Sequence, residues 1–230
     1  MSTLRLVVFD LTGTLVDDGG AVLDTYRRAL QAEQIPFDEA DLQAARGGSK
    51  QTVFRSFAER AFGAGEEARR AASNAFDRFD AELAAAYRHG PLAEIDGASA
   101  CLATLTRSGL KLATNTGFGQ STAAIMLERL NWLAAPFAAH VASDEVPEGR
   151  PAPYMIQLAM QRTAVVDART VLVVGDTPRD LQAGTNAGAA GVVGVLTGSH
   201  GVESLGRVRH THLLRSVADL PELICAEFAS

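Results

Sequence analysis

The sequence predicts an α/β fold, a doubly wound parallel sheet that carries an inserted block of helices. Three observations lead there. From Leu6 to Phe9 the chain is apolar without alternation, which suits a strand covered on both faces, and Val171 to Val174 and Gly191 to Leu196 read as further strands. Strand, loop and helix units repeat from about Gly97 onward. Between the first strand and that repeat lies a stretch in which apolar residues recur only at helical spacing. The expected division is therefore residues 1–16 plus 92–230 as the sheet domain and 17–91 as a helical unit.

Taken in order, the strand Leu6 to Phe9 ends in Asp10-Leu11-Thr12-Gly13-Thr14. After Asp17 and Asp18, Val22, Tyr26, Ala29 and Leu30 share one helical face, and Gln34-Ile35-Pro36 stops that helix. A short helix is expected from Asp38 to Arg46. Gly47-Gly48-Ser49 breaks it, and Ser49 is suited to cap a third helix whose apolar face holds Val53, Phe54, Phe57 and Ala61. A long helix is expected from Glu66 to His89, with Ala72, Phe76, Phe79, Leu83 and Tyr87 on one stripe and Gly90-Pro91 ending it.

The alternating region begins with a helix from Ala98 to Arg107, followed by a strand from Lys111 to Thr114 that ends in Thr114-Asn115-Thr116-Gly117. Next come a helix from Ser121 to Leu130, a strand from His140 to Ala142, and a helix from Tyr154 to Gln161. The strand Thr170 to Val174 runs into Gly175-Asp176-Thr177-Pro178-Arg179-Asp180, and Gly191 to Leu196 into Thr197-Gly198-Ser199. His210-Thr211-His212, two residues apart on an expected strand with no third ligand near in sequence, reads as structural.

Composition narrows the function. A net charge of −6 offers no basic surface for nucleic acid or an anionic membrane, and no apolar run approaches the roughly 20 residues that span a bilayer. No charged-then-apolar leader precedes the first strand, so the expected compartment is cytoplasmic. The two cysteines, Cys101 and Cys225, have no paired spacing and read as packed thiols. Only Lys50 and Lys111 among the 21 basic residues are lysines. Lys111 opens a strand, where a solvated ammonium is ordinary. Lys50 needs another explanation.

Polar residues gather where strands end. Asp10, Thr114, Arg150 and Asp176 all fall at or just beyond a strand's carboxyl end, so a parallel sheet would bring them to one edge, where such folds bind ligands. Two carboxylates, a hydroxyl and a guanidinium suit a phosphoryl group and Mg²⁺, which prefers hard oxygen ligands. Taken singly, Asp176 and Asp180 could equally cap the helix that follows them.

The four segments in this order resemble the motifs of the haloacid dehalogenase superfamily. That resemblance implies a Rossmann-like core with residues 17–91 as a helical cap, and Asp10 as a nucleophile that becomes an aspartyl-phosphate. It implies Mg²⁺ held by Asp10, the carbonyl of Thr12 and Asp176, with Asp180 orienting the shell, and Thr114 and Arg150 on the phosphoryl oxygens. Gly13, Arg46, Gly47, Ser49 and Asn115 complete the expected substrate contacts. The expected partners are a small phosphorylated or phosphonate substrate and, as one option, a second copy of the chain.

Thr12 departs from the phosphatases of that superfamily, which usually place a second Asp there as acid and base. A threonine hydroxyl does not ionise near neutral pH and cannot replace it. The phosphonoacetaldehyde hydrolase branch also lacks the Asp, and Gly149-Arg150-Pro151-Ala152-Pro153, Gly175-Asp176-Thr177 and Gly194-Val195-Leu196-Thr197-Gly198-Ser199 are similar to it. That branch has a Schiff-base lysine in the cap three residues after a Gly, the spacing of Gly47-Gly48-Ser49-Lys50. It has other residues where Arg46, Val53 and Phe118 stand here. The resemblance therefore implies a Mg²⁺-dependent hydrolase that cleaves a C–P bond with Lys50 as the Schiff-base residue; the alternative is a phosphate-ester hydrolase in which Lys50 only binds the substrate anion, as the related Gly-x-Ser-Arg of β-phosphoglucomutase-like caps does. A binding or regulatory module without turnover is a third reading.

Overall fold

The structure, a computed structural model, describes residues 4–228. A six-stranded parallel sheet forms the core: β1 (Leu6–Phe9), β4 (Lys111–Thr116), β5 (Ala139–Ala142), β6 (Val171–Gly175), β7 (Gly191–Val195) and β8 (His212–Leu214), in the order β5-β4-β1-β6-β7-β8. Neighbouring strands are all parallel, so each crosses to the next through a helical connection. β1 is central and lies between β4 and β6, with Phe9 level with Thr114 on one side and Val174 on the other. That register carries the ends of three strands to one edge.

Side chains alternate across β1. Val7 and Phe9 join the larger apolar cluster, and Leu6 and Val8 face the opposite way onto Met155, Ile156 and Ala159. Those three residues belong to α7 (Tyr154–Arg162). The absence of polar alternation in Leu6 to Phe9 thus reflects burial on both faces, as the sequence predicts. The other helices of this part are α5 (Ala98–Arg107), α6 (Gln120–Arg129), α8 (Pro178–Ala187), α9 (Val202–Leu205) and α10 (Leu220–Glu227).

Between the two strands of a small antiparallel ribbon, β2 (Val16–Asp17) and β3 (Ala93–Glu94), come four helices: α1 (Ala21–Ala32), α2 (Glu39–Ala44), α3 (Lys50–Phe62) and α4 (Glu66–His89). They pack around Tyr26, Phe54 and Phe79, whose ring centroids lie 4.6 to 5.4 Å apart in tilted and edge-on pairs. This is the apolar face that the helical spacing of residues 17–91 implies. The ribbon places both crossings between the helices and the sheet side by side, with Ile95 donating its N–H to the carbonyl of Leu15.

Three details differ from the sequence reading. β4 runs two residues past Thr114. Ser49 occupies the N-cap position of α3, but its side chain makes no capping hydrogen bond, whereas Asp38 caps α2 by accepting from the Asp41 N–H at 2.6 Å. Lys111 is not fully solvated, since its Nζ donates to the carbonyl of Thr163 at 2.5 Å. His212 faces Glu227 at 3.5 Å, and no third ligand joins it among the described residues. No helix among the described residues is long and apolar enough to cross a membrane.

Because Phe79 is buried between Tyr26 and Phe54, Phe79→Ala should destabilise the helical unit by about 3–5 kcal/mol, the cost of a large cavity in a packed core. Urea unfolding followed by far-ultraviolet circular dichroism should show the midpoint fall accordingly.

Candidate active site

The candidate site forms where β1, β4 and β6 end. Asp10 follows β1 directly and is buried, and Gly13 turns the chain with φ of +90°. A β-carbon on Gly13 would lie 2.6 Å from Oδ2 of Asp176, so the absence of a side chain lets the two acidic loops approach. Gly198 serves the same purpose from the far side, because a β-carbon there would overlap the Asp176 carboxylate. The Ser199 N–H donates to that carboxylate at 3.2 Å, and the Thr197 hydroxyl donates to the Gly13 carbonyl at 2.7 Å.

Arg150 reaches the cluster from the loop before α7. Its Nη1 donates to Oδ1 of Asp10 at 2.8 Å and also pairs with Asp180, and the guanidinium and both carboxylates are buried. Asp180 completes a capping box at the start of α8, accepting from the N–H and hydroxyl of Thr177. Capping and site membership are therefore not alternatives: one oxygen of Asp180 caps the helix and the other faces Arg150.

Carboxylate oxygens of Asp10, Asp176 and Asp180 lie within 4.8 Å of one another. Burial first, and then the charge of Asp10, push the Asp176 carboxyl up to about 7. Among the described residues its Oδ1 is buried without a hydrogen-bond partner, as is the hydroxyl of Thr12. A buried acceptor without a donor beside two more carboxylates is costly as it stands and fits a hard divalent cation.

Lys50 faces this cluster from the first turn of α3. Its ammonium is buried, lies 4.8 Å from the ring centre of Phe118 and 5.6 Å from that of Tyr26, and donates to the carbonyl of Gly48 at 3.3 Å. Burial first, with Arg150 adding to it, lowers its pKa to about 7. Asp10, Thr12, Arg46, Gly47, Lys50, Thr116, Arg150, Asp176 and Thr177 line a cavity whose free volume is only about 30 Å³. A larger cavity of about 290 Å³ adjoins it along Arg150 and is lined by Ser49 and Arg179.

The structure thus brings together Asp10, Thr12, Arg46, Gly47, Lys50, Arg150, Asp176 and Asp180. It does not bring Thr114 there. Thr114 is level with Phe9, short of the sheet edge, and its hydroxyl pairs with Nδ1 of His140 at 2.8 Å. Thr116, the last residue of β4, takes its place in the cavity. Asn115 is buried beside Val141 and does not line the cavity. Ser49 lies in the adjoining cavity, and Gly13 acts by its packing on Asp176. The signal for Thr116 is Gly117: a strand ends at the residue before its turn glycine. Ser199 and Arg179 had no comparable mark.

The sequence model of haloacid dehalogenase-like hydrolases matches residues 4–188. The chain is 32% identical over 194 residues to a phosphoglycolate phosphatase of Rhodospirillum rubrum, covering 82% of this chain and 78% of that one. It is 27% identical over 256 residues to a phosphonoacetaldehyde hydrolase of Lactiplantibacillus plantarum, covering 96% of each. A crystal structure of a phosphonoacetaldehyde hydrolase-like protein from Oleispira antarctica superposes with a TM-score of 0.83 at 20% identity, over 98% of this chain and 92% of that one, a likeness of fold.

The raised pKa of Asp176 predicts a pH dependence. Its folded value lies above the unfolded value of 3.8, so the folded state binds the extra proton and loses stability as pH climbs from about 4 to about 7. With chelator present, Asp176→Asn should therefore be more stable than the parent at pH 8, and the gap should close toward pH 4. Thermal melts of the two proteins across that range measure it.

Proposed function

The chain belongs to the haloacid dehalogenase-like hydrolases, and from that premise we propose that it is a Mg²⁺-dependent phosphonatase-like hydrolase, with Asp10 accepting the phosphoryl group and Lys50 activating the organic half. The observation that carries this reading is Lys50, buried opposite Asp10 with its pKa near 7 and, among the described residues, without an ion pair to a carboxylate. A lysine held partly neutral in a buried cavity is a nucleophile toward a carbonyl. Mg²⁺ held by Asp10, the carbonyl of Thr12 and Asp176, with Asp180 orienting its shell, would offset repulsion between the nucleophile and the phosphoryl oxygens.

The chain's own residues account for the remainder. Nζ of Lys50 adds to the aldehyde carbon of a phosphonoacetaldehyde-like substrate, and loss of water leaves an imine. With the imine protonated, an Asp10 oxygen then forms a bond to phosphorus as the C–P bond breaks, that electron pair becomes the enamine C=C, and the C=N π pair returns to the Lys50 nitrogen. Protonation of the enamine and hydrolysis of the imine return Lys50, and water cleaves the aspartyl-phosphate. Arg150 orients Asp10 and, with Thr116 at the strand end, faces the phosphoryl oxygens. No step requires a carboxylate at position 12, which is where Thr12 stands.

A second reading has an observation of its own. The 32% identical relative is a phosphatase, and Lys50 could bind the substrate anion while P–O rather than C–P is cut. Two experiments divide them. Asp10→Asn should lower turnover by at least 10³-fold under either reading, measured as phosphate release from a phosphonate and phosphate-ester panel. Borohydride added with phosphonoacetaldehyde should trap a mass adduct on Lys50, and Lys50→Arg should lose at least 10²-fold in C–P cleavage although the charge remains. No adduct, with activity kept in Lys50→Arg, would leave the phosphatase reading standing.

A further inference from the structure

Breakdown of an aspartyl-phosphate leaves one proton without a destination. The water that attacks phosphorus must lose a proton, and Thr12 offers no carboxylate to take it. A buried carboxylate outside the Asp10 cluster lies close by. Asp18, which follows β2, is only 5% exposed and among the described residues forms no ion pair. Its Oδ2 accepts from the Val22 N–H at 3.0 Å and from the Tyr87 hydroxyl at 3.3 Å, and Val22 lines the inner cavity together with Asp10 and Thr12.

Tyr87, in the last turn of α4, is wholly buried. Its ring packs edge-on against Phe118 with centroids 5.9 Å apart, and Phe118 lines the inner cavity as well. Arg129 of α6 donates to the Tyr87 carbonyl at 2.7 Å, which ties this turn to the sheet domain. Burial first, and then the Asp18 charge, hold the phenol well above its ordinary pKa, whereas the Thr12 hydroxyl beside it acts the other way. The phenol thus faces an acceptor in Asp18 and a donor in Thr12. Asp18 also lines a pocket of about 190 Å³ with Gly13, Ser199 and the exposed Asp17, so a proton taken up there reaches solvent without crossing the inner cavity.

We infer that Thr12, Tyr87 and Asp18 form a proton relay for the second half-reaction, with Asp18 as the base that position 12 itself lacks. This rests on the reading of Asp10 as the phosphoryl acceptor and holds for C–P and P–O cleavage alike. The water oxygen bonds to phosphorus as the bond between phosphorus and the Asp10 oxygen breaks, and that electron pair returns to the Asp10 carboxylate. The water proton passes to the Thr12 oxygen, the Thr12 proton to the phenol oxygen of Tyr87, and the phenol proton to Asp18. Both hydroxyls end neutral, so a threonine that does not ionise is no obstacle. Asp18 then releases its proton to solvent, and orthophosphate leaves.

Rapid-quench kinetics with p-nitrophenyl phosphate and Mg²⁺ separate the two halves, because nitrophenolate departs without an acid. Tyr87→Phe should keep first-turnover nitrophenolate release within about threefold of the parent and slow breakdown of the phosphoryl-enzyme, read by mass spectrometry of quenched protein, by about 10²-fold. Asp18→Asn, which keeps an acceptor oxygen for the Val22 N–H, should do the same. Adding Thr12→Asp to Tyr87→Phe should restore breakdown, since a carboxylate in the cavity takes the proton directly, whereas a loss caused by disturbed packing would persist. Unchanged breakdown in Tyr87→Phe, or equal slowing of both halves, overturns the relay and leaves Asp10 as the phosphoryl acceptor. If no phosphoryl-enzyme forms in any of these proteins while the parent turns over, the Asp10 reading falls and the relay with it.

Discussion

Three strand-end loops meet on one buried guanidinium. Arg150 holds Asp10 and Asp180 at once, and the three charges are removed from water together. Desolvating a single carboxylate at this depth would cost several kcal/mol, and the shared guanidinium offsets that for two of the three acids. Asp176 is the one left over. It receives only the weak donors of Ser199, sits beside Asp10, and takes up a proton near neutral pH instead. The cluster is thus one cation short, which is why a divalent ion fits it.

That cluster also sets the demands on the surrounding chain. Gly13 and Gly198 are glycines because Asp176 occupies the space their side chains would take. Gly47 is constrained in the same way from the helical side: its φ is +76° and a β-carbon would overlap the Thr177 hydroxyl. The Gly47-Gly48 turn therefore seats directly on the start of α8, and the seat fixes both Lys50 and Arg46 over the strand ends. Lys50 lies against Phe118 and Tyr26, so its depressed pKa follows from apolar packing reinforced by Arg150.

Much of this was legible in the chain itself. Both-face burial of β1, the strand-end positions of Asp10 and Asp176, the four helices between residues 17 and 91, and the singular Lys50 are local features, written in periodicity, turn residues and composition. Thr114 shows where such reading fails. Periodicity locates a strand but not its last residue, and two residues along β4 separate a hydroxyl bonded to His140 from one at the sheet edge. His140 was equally silent, because what burial does to it depends on neighbours distant in sequence. Of the two cysteines read as packed thiols, Cys101 is buried but Cys225 is exposed, because its place on the last helix faces away from the core.

The sequence by itself determined which elements form, in what order, and which acids and bases could reach one edge of a parallel sheet, since strand ends in such a sheet share a side whatever their spacing. Only the tertiary structure decided the partners. That Asp180 both caps α8 and faces Arg150, that Ser199 contacts Asp176, and that Arg179 reaches the Gly47-Gly48 turn are relations between residues tens to more than a hundred positions apart. Such pairings follow from how the helical unit sits on the sheet, and charge pairing depends on distances of a few ångströms that no local pattern encodes.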